Sequence, residues 1–166
     1  EKIGMAVELF KKVCGVAPEG WYSRYGASIH TREFLVDAGF LYDSDAYNDD
    51  LPYFTSVKGK NHLVIPYSMT YNDGRYLAGQ LGGPDDFFSL TRRAFDYLWE
   101  EGEAHPRMMS IGLHPRWVGQ AGRASALREF IEHALKRGRV WFARRSDIAR
   151  WWLEHHASFP REGAAR

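Results

Sequence analysis

Apolar residues recur at helical spacing in five stretches of the chain, and short apolar runs lie between them. Ile3, Ala6, Val7, Phe10, Val13 and Cys14 fall on one helical face, and Gly15 supplies the stop. "GWYSRYG" then reads as a short strand running into a loop, "HTREFLVDAG" as a helix ending at Gly39, and "FLYDSD" as a second strand. A third apolar run, "HLVIPYS", carries Pro66 at an irregular or terminal position. Residues 69–83 have no clear period and hold four glycines, so they are expected to form a long loop of the kind that is often functional. A helix is predicted from Pro84, with Asp85 and Asp86 facing the dipole in its first turn, through Phe87, Leu90, Ala94 and Leu98 to Gly102. "MMSIGLH" predicts a strand from Met108 to Leu113, buried on both faces as in a parallel sheet. The next helix carries Leu127, Phe130, Ile131, Ala134 and Leu135 up to Gly138. "VWFA" predicts a final strand, and Ser146 is expected to cap a last helix holding Trp151 and Trp152.

This alternation of helix and strand predicts an α/β protein with a parallel sheet. The chain has 166 residues, enough for one domain with a real core, and no repeat, low-complexity block or linker interrupts it. Only the tail from about Ser158 is expected to be loose. Lys and Arg number 22 against 21 Asp and Glu, so the net charge of +1 gives no electrostatic footprint for nucleic acid. Apolar runs are a few residues long, far short of the ~20 that cross a bilayer. The single cysteine, Cys14, excludes an intramolecular disulfide and a Cys-rich zinc site, and a cytoplasmic location is expected.

No G-x-x-x-x-G-K-[ST], H-E-x-x-H or G-x-S-x-G motif occurs. The acidic stretch "DSDAYNDDLPYF" fails as an EF-hand loop, because Asn48 stands at position 6 and Phe54 at position 12. Position in the fold is then the guide, since residues at the carboxyl ends of parallel strands line the site. The three loops "SRYG", "DSDAYNDD" and "HPRW" are expected to bring Arg24, Tyr25, Asp43, Asp45, Asn48, Asp49, Asp50, His114, Arg116 and Trp117 toward one rim. That set holds a titratable base, carboxylates to orient it, cationic and amide donors, and an aromatic wall, which suits hydrolysis of a polar small molecule. Blander roles compete for each residue: Asx turns and caps for the aspartates, a structural hydrogen bond for His114, surface ion pairs for Arg24 and Arg116.

The stretches "GWYSRYGASIHTREFLVDAGFLYDSDAYNDDLPYF", "HLVIPYSMTYND", "DDFFSLTRRAFDYLWEEG" and "RMMSIGLHPRWVGQAGRASALREFI" together resemble the polysaccharide deacetylase superfamily. Within it they are most similar to the allantoinase, urate-catabolism and chitin-deacetylase-like branch, over roughly residues 3–156. The resemblance implies a distorted (β/α) barrel that hydrolyses non-peptide carbon–nitrogen bonds. Residues 1–157 would be the C-terminal portion of that barrel and 158–166 its tail. It makes His114, Asp45 and Arg24 catalytic candidates, with His114 as proton donor to the leaving nitrogen or its electrostatic helper. Tyr25, Asp43, Asn48, Asp49, Asp50, Arg116 and Trp117 become substrate-binding candidates. The family's early acidic pair and His-x-x-x-His segment do not occur here. No metal ligands are therefore expected in this chain, and a divalent metal such as zinc would enter only through such motifs in a complete protein. The expected substrate is a cyclic amide or ureide such as allantoin, in purine catabolism; the alternatives are an N-acetylated sugar polymer and a non-catalytic module for binding or pairing. Residues 1–166 alone are expected to be inactive. No nucleic acid or membrane partner is expected, and unpaired strand edges suggest self-association or pairing with an N-terminal segment.

Overall fold

The computed structural model describes residues 1–24 and 26–159. The fold is α/β, with helices and a mixed four-stranded sheet. The chain divides into two compact units, Glu1–Pro66 with Ala143–Arg166, and Tyr67–Phe142. Among the described residues no helix is long and apolar enough to cross a membrane.

The first unit opens with helix α1, Lys2–Cys14, which ends where Gly15 adopts φ 76°, the left-handed conformation that glycine takes without strain. None of its residues is buried. Strand β1, Gly20–Trp21, leads to helix α2, Thr31–Asp37, whose Leu35 is fully buried. Strand β2, Tyr42–Asp43, pairs parallel with β1 and with β4, Lys60–Val64. Strand β3, Tyr53–Val57, pairs antiparallel with β4, which makes the strand order β1-β2-β4-β3 and the sheet mixed, where a parallel one was expected. The hairpin closes through Lys58 and Gly59, both at positive φ, the geometry of a two-residue turn that matches strand twist. Leu63, Val64 and Ile65 are fully buried beside Leu35 in the core of this unit. Helix α6, Arg145–His155, begins one residue before the Ser146 expected to cap it. Arg144 is its N-cap and pairs with Asp147 at 2.8 and 2.9 Å. Trp152 is buried, while Trp151 stays partly exposed and stacks on His155. A short 3-10 helix, His156–Ser158, follows, and residues 160–166 of the expected tail lie outside the described residues.

The second unit is built on two long helices, α3 (Pro84–Glu101) and α5 (Ala121–Arg137), with the four-residue α4 (Pro115–Val118) before α5. Helix α3 has Pro84 at its first position, and Asp86 accepts the Gly82 and Gly83 backbone N–H groups at 2.7 and 3.1 Å. Phe95 of α3 meets Phe130 of α5 edge-on at 5.8 Å, and Ala134 lets the helices approach. A second cluster joins Phe87, Leu81 and Ala126.

Two expected strands are not formed. Residues 108–113 carry no ladder, Gly112 alone bridging Asn72 in parallel among the described residues, and their apolar side chains are half-buried or exposed. Residues 140–143 form no strand either, and Trp141 and Phe142 stand more than half exposed. An apolar run supplies strand propensity, but a ladder also needs a partner backbone. Phe87 carries the packing of its cluster at 0% exposure, so Phe87→Ala should cost about 3–5 kcal/mol in a denaturant titration.

Candidate active site

Each unit gathers its own polar cluster. In the first, Asp43 ends β2 with its carboxylate fully buried. Its Oδ2 meets His62 Nε2 of β4 at 2.9 Å and accepts from Arg32 Nε of α2 at 2.9 Å. Its Oδ1 accepts the Asp45 backbone N–H at 2.9 Å. Burial by itself would raise this carboxyl, but the hydrogen bonds from His62, Arg32 and the Asp45 backbone hold it below the usual carboxylate range. The same bond raises the Arg32 guanidinium above its ordinary value. Asp43 is thus an internal tie between α2, β2 and β4.

Asp45 faces the loop after β1, where it accepts the Ser23 backbone N–H and hydroxyl, both at 2.7 Å. Ser23 also takes the Trp21 indole N–H at 2.9 Å, so Asp45 fixes the loop that carries Arg24. Arg24 is exposed in that loop, and Tyr25 lies outside the described residues. Asn48 accepts from the Tyr53 hydroxyl at 3.1 Å, and Asp49 closes an Asx turn on the Leu51 N–H at 3.1 Å. Asp50 is exposed.

The second cluster sits in the Tyr67–Phe142 unit. His114 follows the 108–113 segment and is the N-cap of α4, with Pro115 at the helix's first position. Asp73 opens a 3-10 helix, Asp73–Tyr76, and is fully buried. One Asp73 oxygen, Oδ2, accepts the His114 backbone N–H at 2.7 Å. The other, Oδ1, lies 2.6 Å from His114 Nδ1. An ionised carboxylate only accepts, so the ring proton sits on Nδ1 and the ring presents Nε2 for chemistry. The His114 side chain is 40% exposed, and Trp117 lies against it with ring centroids 4.1 Å apart. Arg116 covers the other aromatic partner, its guanidinium carbon 4.5 Å from the Trp117 ring. A buried carboxylate orienting a solvent-reaching imidazole is a geometry capable of general acid–base chemistry.

Nine of the ten residues singled out in the sequence, all but Tyr25, therefore divide between the units. Arg24, Asp43, Asp45, Asn48, Asp49 and Asp50 fall in the first, and His114, Arg116 and Trp117 gather in the second. Asp73, Arg32 and His62 are not among them. Asp73 is hidden in "YNDGR", which reads as a plain turn within the long 69–83 loop. Arg32 looks like a helix-face residue and His62 like part of a strand, and neither carries a sequence mark of its buried partner.

Among the described residues no three His, Cys, Asp or Glu side chains converge to hold a metal ion. The buried carboxylates are already occupied, Asp43 by Arg32 and His62, Asp73 by His114. Among the described residues the donors present do not fit a metal.

No protein-family model matches the chain. It is 37% identical over 175 residues to a Schizosaccharomyces pombe protein named "Putative polysaccharide deacetylase", a match covering 94% of this chain and 54% of that protein. The crystal structure of a "probable Polysaccharide deacetylase" from Pseudomonas aeruginosa superposes with a TM-score of 0.85 at 44% identity, over 92% of this chain and 52% of that one. The crystal structure of Puue allantoinase gives the same TM-score and identity, over 96% and 53%. This chain has a polysaccharide deacetylase-like fold. It is a partial piece of the (β/α) barrel of these deacetylase and allantoinase structures, and it spans about half the length of the relatives it matches, which fits the expected C-terminal part.

The Asp43 tie of this deacetylase-like unit has a measurable pH signature. Its folded-state carboxyl lies below the unfolded value of about 4, so its contribution is complete above that pH and is lost as pH falls through the folded value. Asp43→Asn should lower stability by about 3 kcal/mol at neutral pH, because it leaves His62 and Arg32 without their charge partner. The gap to the parent chain should narrow as urea titrations are repeated from pH 5 downward. A gap that stays constant to pH 2 would rule out the ionised carboxylate.

Proposed function

We propose that the complete protein is a hydrolase of non-peptide carbon–nitrogen bonds and that His114 delivers the proton to the departing nitrogen. The observation that carries this is the His114–Asp73 pair, a half-exposed imidazole held at both its backbone and Nδ1 by one buried carboxylate. Hydrolysis adds water to the carbonyl carbon and breaks the C–N bond, and the nitrogen leaves readily only when it gains a proton. A histidine whose own proton is held on Nδ1 can take a second proton on Nε2 and pass that one to the departing nitrogen. Asp73 keeps the ring in one orientation and balances the charge of the imidazolium. Trp117 walls one side of the ring.

The proposed substrate is a small cyclic amide or ureide such as allantoin, which would place the protein in purine catabolism. The relation to an allantoinase at 44% identity supports this. A structural relative with the polysaccharide deacetylase name stands at the same identity, and this equally supports the alternative, removal of N-acetyl groups from a chitin-like polymer. Arg24, Asp45 and the 48–50 loop are proposed to hold substrate or orient reacting groups. Residues 1–166 alone are proposed to carry only the proton-donor part of the machinery, without turnover of their own.

Assays of the complete protein on allantoin and on N-acetylated chito-oligosaccharides separate the two substrates. Ring opening of the ureide is expected; acetate release from the oligosaccharide with no ureide turnover would replace the first reading with the second. In the same protein His114→Ala should lower kcat by about 10²–10⁴-fold, the usual worth of a positioned proton donor, with a smaller change in KM. A lower melting temperature with undiminished kcat would make His114 a structural residue.

A further inference from the structure

Asp73 and His114 lie 41 residues apart, and their meeting depends on how two irregular segments are stitched together. The stitch is made just before each of them. Asn72 and Gly112 form a parallel bridge, with the Asp73 N–H donating to the Gly112 carbonyl at 3.0 Å and the Gly112 N–H to the Tyr71 carbonyl at 2.9 Å. Asn72 is buried at 8% exposure, and both ends of its side chain are used. Its Oδ1 accepts the Gly74 N–H at 2.7 Å, which starts the 3-10 turn that aims Asp73. Its Nδ2 donates to the Tyr67 hydroxyl at 2.8 Å.

Gly112 completes the arrangement from the other side. A β-carbon on Gly112 would collide with both the Tyr67 hydroxyl and the Asn72 amide nitrogen. The absent side chain is thus the space into which the Tyr67–Asn72 hydrogen bond packs. Any larger residue must displace the Tyr67 hydroxyl and the Asn72 amide, and so break the hydrogen bond that holds Asn72 in place.

We propose that Asn72, held by Tyr67 against the bare face of Gly112, is a positioning residue for the His114–Asp73 pair. It sets the carboxylate at the spot where both oxygens reach His114, and so fixes the ring tautomer that leaves Nε2 for proton transfer. The consequence for turnover rests on the hydrolase reading given above, whereas the geometric consequence does not. Displacement of a reacting group by about 1 Å can cost on the order of 10²-fold in rate.

The test reads the histidine itself. In 15N-labelled chain, long-range imidazole spectra should show His114 as a single Nδ1–H tautomer with a downfield Nδ1 proton, its signal assigned by loss in His114→Gln. Asn72→Ala and Gly112→Ala should erase that proton and average the two ring nitrogens while circular dichroism still reports the fold. Tyr67→Phe, which keeps the ring and removes only the hydroxyl, should do so partially, and it decides the matter if the other variants do not fold. In the complete protein Asn72→Ala should lower kcat by about 10- to 100-fold with little change in KM, and Asn72→Asp should recover part of that loss by still accepting the Gly74 N–H. An unchanged His114 signature in folded Asn72→Ala or, failing that, in Tyr67→Phe overturns the proposal. A changed signature in a protein that hydrolyses neither class of substrate would keep the positioning role and sink the hydrolase reading instead.

Discussion

Burial of the Asp73 carboxylate is the constraint on which the site depends. Taking an ionised carboxylate out of water costs several kcal/mol unless its oxygens find strong donors. At Asp73 both oxygens find them on one residue, the backbone N–H and ring Nδ1 of His114. The carboxylate cannot drift without losing charge-assisted bonds, and the imidazole cannot flip without leaving a buried acceptor unsatisfied. Electrostatics that would normally oppose burial thereby become a device for fixing the direction of one ring nitrogen.

The first unit uses the same principle for a different end. Asp43 is as deeply buried as Asp73, but its partners are an arginine from a helix and a histidine from a neighbouring strand. Those bonds join three elements around the carboxylate. Two buried aspartates of identical chemistry therefore have different duties, and the difference lies in their partners: a half-exposed histidine in one case, an almost wholly buried one in the other. The two clusters belong to separate compact units, and each is complete in its own hydrogen bonding.

Helices α1, α2, α3, α5 and α6 are legible in the sequence because their apolar spacing and their start and stop residues are local signals, as at Pro84 for a start and at Gly15 and Gly39 for stops. Strands were harder to read. The β3–β4 hairpin is announced only by "VKGK", a weaker turn signal than Asn-Gly, and residues 108–113 and 140–143 have strand composition without a partner ladder. His114 stands out because it ends an apolar run and precedes proline. Its partner does not, since a buried aspartate in a glycine-rich loop has no periodic neighbours to betray it. Long-range pairs such as 73–114 and 32–43 are made by tertiary packing and have no expression in local pattern. The resemblance of whole stretches to polysaccharide deacetylases carries the fold further than any of these signals alone, and the structural relatives bear it out.

In the proposed hydrolase, Asp73 acts through His114 on the proton given to the leaving nitrogen. Asp73→Asn in the complete protein tests it most directly, because the amide is nearly isosteric but neutral and no longer fixes the proton on Nδ1. Steady-state kinetics on the folded variant should show kcat reduced by about 10²-fold or more with KM nearly unchanged. A folded Asp73→Asn protein that keeps the parent kcat would contradict the claim and leave the pair a structural contact.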